Sequence, residues 1–137
     1  MAGVASSFVT TRHRDGRHGQ ATQTWIEVPV ASSADLQVEK QDSAAVSTLS
    51  MNDAGFDAAC LLRTTEPEIA SRVLDQEMRS VLAEGCRTGD LRLLVVRKQW
   101  LRVELRGSPD DPENEPLVTR YLEAALTLAG RLDAADQ

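Results

Sequence analysis

The sequence predicts an α+β fold: a small antiparallel or mixed sheet with two amphipathic helices packed on one face, behind a disordered N-terminal tail. Three observations predict it. Residues 91–96 and 100–106 read as two strands joined by a short turn. Residues 66–84 and 117–132 repeat apolar side chains at helical spacing. Residues 1–22 are polar and show no apolar period. The expected organisation is a tail over 1–22, a single domain over 23–133 and a frayed C-terminus over 134–137.

The elements follow in chain order. The tail offers too little apolar area to offset the entropy of ordering it. Thr24-Trp25-Ile26-Glu27-Val28 alternates and is rich in β-branched residues, so it reads as a strand. Pro29 cannot donate to a ladder, which places that strand at an edge. Leu36 and Val38 mark a short strand, as do Val46 to Leu49. Asn52 to Gly55 reads as a turn, and Phe56 to Leu62 as a mostly buried strand or short helix, the strand being favoured because the run is short and a helix start follows.

A helix is expected from Glu66 to Glu84. Thr65 stands three residues before Glu68, the spacing of a capping box. Glu66 and Glu68 favour the helix dipole, and Pro67 costs little in a first turn. Ile69, Val73, Leu74, Met78, Val81 and Leu82 then share one face, and Gly85 is placed to end the helix. In the hairpin, a two-residue loop at Lys98-Gln99 would need positive φ at residues that do not favour it. A three-residue loop, Arg97 to Gln99, which pairs Val96 with Trp100, is the expectation. Gly107 to Pro116 is an acidic connector. Leu117, Val118, Tyr121, Leu122, Ala125, Leu128, Ala129 and Leu132 define the last helix.

The chain has 137 residues, enough for one domain. Aromatic residues make up only 4%, so the core must be built from Leu, Val, Ile and Ala. Formal net charge is −6, which disfavours nonspecific contact with phosphate backbones and anionic lipids. The charge is segregated. Between Cys86 and Arg106 stand Arg87, Arg92, Arg97, Lys98, Arg102 and Arg106 against only Asp90 and Glu104. All but two of the 15 cations are Arg, as in proteins from GC-rich bacterial genomes such as those of actinobacteria. Residues 1–11 lack the apolar run of a signal peptide, and no stretch nears the roughly 20 apolar residues of a membrane span. The expected location is the cytoplasm, with Cys60 and Cys86 reduced.

No catalytic constellation stands out. His13 and His18 both fall in the expected tail, where no fixed hydrogen bond to a thiol can form. Cys60 lies in an apolar run and reads as core, and Cys86 as ordinary packing. Two imidazoles without nearby thiols do not make a zinc site. The run Asp110-Asp111-Pro112-Glu113-Asn114-Glu115 lacks the spacing of a calcium loop and reads as a solvated connector. There is no phosphate-binding glycine motif. No catalytic residue, metal or cofactor is assigned.

Two stretches resemble known families. Leu101-Arg102-Val103-Glu104-Leu105 followed by Gly107-Ser108-Pro109-Asp110-Asp111 looks like the sheet region of anti-sigma-factor kinases of the GHKL ATPase type. The helix text from Ser71 to Met78 lacks that family's Asn, and its lid glycines are absent. The run from Cys60 to Val96 is similar to STAS anti-sigma-antagonist domains without their Asp-Ser-Ser-Gly stretch. No functional residue is carried over from either.

The sequence therefore favours a non-catalytic bacterial regulatory or interaction domain. It would bind a protein partner, or its own copy, through a sheet edge or the basic hairpin: Arg92, Arg97, Lys98, Trp100, Arg102 and Arg106. The alternative is a nucleic-acid-binding regulator that uses the same hairpin, with Arg on phosphates and Trp for stacking. A further alternative is a small-molecule binder or enzyme whose site assembles from scattered residues. No membrane partner is expected.

Overall fold

The computed structural model describes residues 8–16, 19–41, 51–107 and 112–135. Five strands, β2 (Gly19–Pro29), β3 (Leu36–Lys40), β4 (Cys60–Thr64), β5 (Leu91–Arg97) and β6 (Trp100–Arg106), form an antiparallel sheet, and β1 (Phe8–Gly16) extends it at the β2 side. The order is β1-β2-β6-β5-β3-β4. The helices are α1 (Ala54–Ala59), α2 (Pro67–Val73), α3 (Gln76–Thr88) and α4 (Glu115–Ala135). The sheet is antiparallel and not mixed, and the helices number more than the expected two.

One face of the sheet is the core. Ile26, Val28, Leu36, Val38, Leu62, Leu94, Val96, Leu101, Val103 and Leu105 are buried on it. Helix α3 contacts β5, β3 and β4, and α4 contacts β2 and β6, so the two helices divide the face between them. Tyr121 of α4 is buried where they meet and donates to the Val81 carbonyl at 3.0 Å. As the aromatic-poor composition requires, aliphatic side chains do most of the filling.

The helix expected over 66–84 is two helices. Asp75 interrupts it: its carboxylate accepts from the Met78 amide at 2.9 Å and so caps α3. Arg131 of α4 seals the joint, donating to the Val73 carbonyl at 3.2 Å and pairing with Asp75 at 3.0 Å. The capping box does not form, because α2 starts at Pro67 without a side-chain cap. Thr64, not Thr65, organises the turn. Its hydroxyl accepts from the Glu66 amide and donates to the Asp35 carbonyl.

Gly85 does not end α3. The helix runs on to Thr88, and Gly89, at φ 83°, closes it in the left-handed region. Gly85 instead lets Tyr121 approach. A Cβ there would stand 2.1 Å from the Tyr121 hydroxyl and 2.7 Å from Leu91 Cβ.

The stretch read as a strand over 56–62 begins as α1. Asp53 caps it through the Phe56 amide at 3.1 Å, and β4 starts only at Cys60. The strand expected at Val46 to Leu49 lies outside the described residues. So do residues 1–7, 17 and 18 of the expected tail, while residues 8–16 and 19–22 pair as strands. Ladder hydrogen bonds need no apolar side chains, so a polar segment can pair along a sheet side without a core signature. The strand ending at Pro29, expected at an edge, is internal, because β2 lies between β1 and β6; Pro29 is tolerated past the end of the β1–β2 ladder, which stops at the Phe8–Glu27 pair. Helix α4 remains helical to Ala135, and residues 136 and 137 lie outside the described ones.

The hairpin loop is the two-residue one. Arg97 pairs with Trp100 and Val96 with Leu101. Lys98 and Gln99 adopt φ 54° and 66°. Burial decides the matter: this register keeps Val96 and Leu94 on the face shared by Leu101 and Val103. The strain, about 1 kcal/mol or more per residue, is offset by anchoring Gln99. Its carbonyl accepts from the Val30 amide at 3.0 Å, and its side-chain amide donates to the Ala31 carbonyl at 3.0 Å. An irregularity between Leu91 and Leu93 then shifts the far end of the ladder.

Candidate functional site: the open face of the sheet

Strand alternation sends every second side chain away from the helices. On that face the register sets out two rows and a rim. Leu61, Glu39, Leu93, Glu104 and Trp25 form one row, and Arg63, Gln37, Val95, Arg102 and Glu27 the next. The rim at the loop end carries Arg97 and Trp100 beside Pro29. Along the rim Trp100 is 44% exposed, whereas Leu61 at the β4 end of the first row is buried.

The six residues expected to bind a partner do not form one patch. Arg97, Lys98 and Trp100 cluster at the loop end, all exposed. Arg102 lies mid-face with its guanidinium over the Trp25 ring, 3.6 Å from the centroid. Such a stack contributes about 0.5–2 kcal/mol depending on desolvation. Its Nε also stands 3.5 Å from a Glu104 oxygen. Arg106 sits at the opposite end and pairs with Asp90 at 2.7 Å, tying β6 to the α3–β5 turn. Arg92 is exposed at the β5 irregularity. Two of the hairpin's guanidinium groups are therefore neutralised within the chain, while the loop end stays cationic.

The fold brings in residues that sequence reasoning passed over. Strand β3 inserts beside β5, and β4 lies beyond it, so Arg63 of β4 and Arg97 of β5 flank Asp35 and Gln37. These residues, with Thr64 and Thr65, line a depression of about 280 Å³. The side chain of Gln37 donates to Glu39. The local signal for Arg63 was a charge directly after the apolar run Cys60 to Leu62, and its neighbours depend on strand order.

Elsewhere, Asp53 and Arg79 pair at 2.9 Å between α1 and α3. The Arg79 hydrogen bond and the Phe56 amide hold the Asp53 carboxyl below the usual range. Cys60 and Cys86 are both free and fully buried. The hydrogen bond with Cys86, and then burial, push the Cys60 thiol up. Among the described residues no group of three or more His, Cys, Asp or Glu side chains is placed to hold a metal. No described helix is long and apolar enough to cross a membrane. His13 lies in β1, and His18, Asp110 and Asp111 lie outside the described residues.

This fold and face define a small α+β domain with a helix-covered sheet and a mixed apolar and charged outer surface. The crystal structure of the mycobacterial trehalose monomycolate transport factor A, TtfA, shares the fold, with a TM-score of 0.53 at 10% identity over 88% of this chain and 72% of that one. No protein-family model matches the chain, those of the GHKL kinases and STAS domains included, and no characterised protein matches its sequence.

Proposed function

We propose that this chain is a non-catalytic regulatory or interaction domain that binds a protein partner through the loop end of the β5–β6 hairpin and the adjoining open face. One observation carries the reading: Trp100, Arg97 and Lys98 are exposed together at one end of a sheet face that the helices leave uncovered. Exposed Trp and Arg side chains are the types that anchor interfaces. The fold shared with a bacterial transport factor is in keeping with a partner-binding role.

Nucleic acid fits the face less well. Glu27, Glu39 and Glu104 share it, Arg102 is committed to Trp25, and Arg106 to Asp90. A phosphate backbone would meet these carboxylates.

The test is affinity capture from host extract with the full chain and with Trp100→Ala and Lys98→Glu variants, alongside light scattering of the purified protein. A partner, or a second copy, should be retained by the parent chain and lost by both variants. A strict monomer that retains nothing, or a partner indifferent to both substitutions, defeats the proposal. Salt-sensitive binding of an oligonucleotide through the same residues would shift the assignment to nucleic acid.

A further inference from the structure

We infer that the depression between Arg63 and Arg97 is an oxyanion seat for carboxylate side chains on an acidic segment of the protein partner. This inference rests on the partner-binding reading above and names the partner's chemistry.

The charge pattern supports it. The chain has 21 acidic residues against 15 cations, and the described arginines divide between those held by a carboxylate and those left free, Arg72, Arg87 and Arg92 among the latter. Arg79, Arg102, Arg106, Arg120 and Arg131 all stand within ion-pair distance of a carboxylate. Arg63 and Arg97 are exposed, have no such pair among the described residues, and line one depression. Their strands flank β3, so the two guanidinium groups rise on either side of Gln37 and Asp35. A guanidinium presents a planar fork of donors that matches a carboxylate, and charge-assisted pairs of this kind are among the stronger surface contacts.

Asp35 decides between anions. It lines the same depression, so the local balance is one net positive charge from these three groups. A compact dianion such as phosphate would sit against its carboxylate. Single carboxylates spaced along a chain can each meet one guanidinium and avoid it. Trp100, paired with Arg97 across the ladder and 44% exposed, adds an apolar anchor beside the seat.

The experiment uses the full, isotope-labelled chain and follows the Arg Nε–H and Trp indole N–H resonances during titration. The probes are hexaglutamate, hexalysine and inorganic phosphate at matched ionic strength. Hexaglutamate should shift the Arg63, Arg97 and Trp100 signals saturably. Arg63→Gln and Arg63→Glu should weaken that binding roughly tenfold or more, the loss of one charge-assisted contact. The amide spectrum of each variant establishes that it is folded. The absence of saturable shifts, equal shifts at Arg72 and Arg87, or binding unchanged in both variants overturns the seat. Phosphate binding as tight as hexaglutamate overturns the peptide assignment in favour of a free anion. A captured partner that is lost with Trp100→Ala but retained with Arg63→Gln removes the seat and leaves the hairpin reading in place.

Discussion

Replacing Gly85 with Ala sets two opposing effects against each other. Helix propensity alone predicts a gain of about 1 kcal/mol from Gly to Ala inside α3. The packing predicts a loss. The new methyl would stand 2.1 Å from the Tyr121 hydroxyl, 3.0 Å from its Cζ and 2.7 Å from Leu91 Cβ. The phenol can withdraw only by giving up its bond to the Val81 carbonyl, about 0.5–1.5 kcal/mol. Leu91 Cβ is fixed to a buried strand, and overpacking of that kind costs about 1–3 kcal/mol. The packing terms exceed the propensity gain, so Gly85→Ala should destabilise by about 1–3 kcal/mol. The midpoint in urea should fall at constant slope, followed by far-ultraviolet circular dichroism. For a loss of about 2 kcal/mol in a chain of this size, Tm should drop by several degrees, of the order of 4–8 °C. Tyr121→Phe removes the hydroxyl, so Gly85→Ala should cost less in that background. A midpoint that rises in the single variant, or a cost unchanged by Tyr121→Phe, refutes the close approach of α3 and α4.

Three more outcomes follow from the same geometry. Burial pushes the Tyr121 phenol up to about 12; because it is the one tyrosine, absorbance near 295 nm should rise around that pH and not around the usual value of about 10. The Met78 amide and the Arg131 guanidinium hold the Asp75 carboxyl below its ordinary range. A depressed folded value means the contribution is present above the unfolded value of about 3.9 and is lost as pH falls through the folded one. Asp75→Ala should therefore lower the urea midpoint near neutrality, by about 1 kcal/mol for a lost cap, and the gap to the parent chain should close at acid pH. Lys98→Asn should stabilise the hairpin by a few tenths of a kcal/mol, because Asn tolerates the positive φ found there; an unchanged or lower midpoint would contradict the strain assigned to this loop.

The sheet and its helices were legible where one physical signal acted alone. Alternation placed Thr24 to Val28 and the second hairpin strand, a short apolar run placed the first, and the 3.6-residue period placed α4. The reading failed where two signals competed. Ile69 to Leu82 keep a helical rhythm across Asp75, so the cap that splits α2 from α3 was hidden in the period. Gly85 looked like the helix end, and only the tertiary contact with Tyr121 reveals why a glycine stands inside α3. The loop at Lys98-Gln99 lacks turn residues because its support comes from Val30 and Ala31, about seventy positions earlier in the chain. The basic hairpin was visible as a run of Arg. Its division into a stacked residue, a paired residue and a free end was not, because Trp25 and Arg63 reach it only through strand order.

The sulfur pair at the seam of β4 and α3 has a practical consequence. With both side chains sealed from solvent, an alkylating reagent meets neither until that seam parts. Thiol labelling therefore reads how often the core opens, and the native chain carries its own clock for that event without any introduced probe.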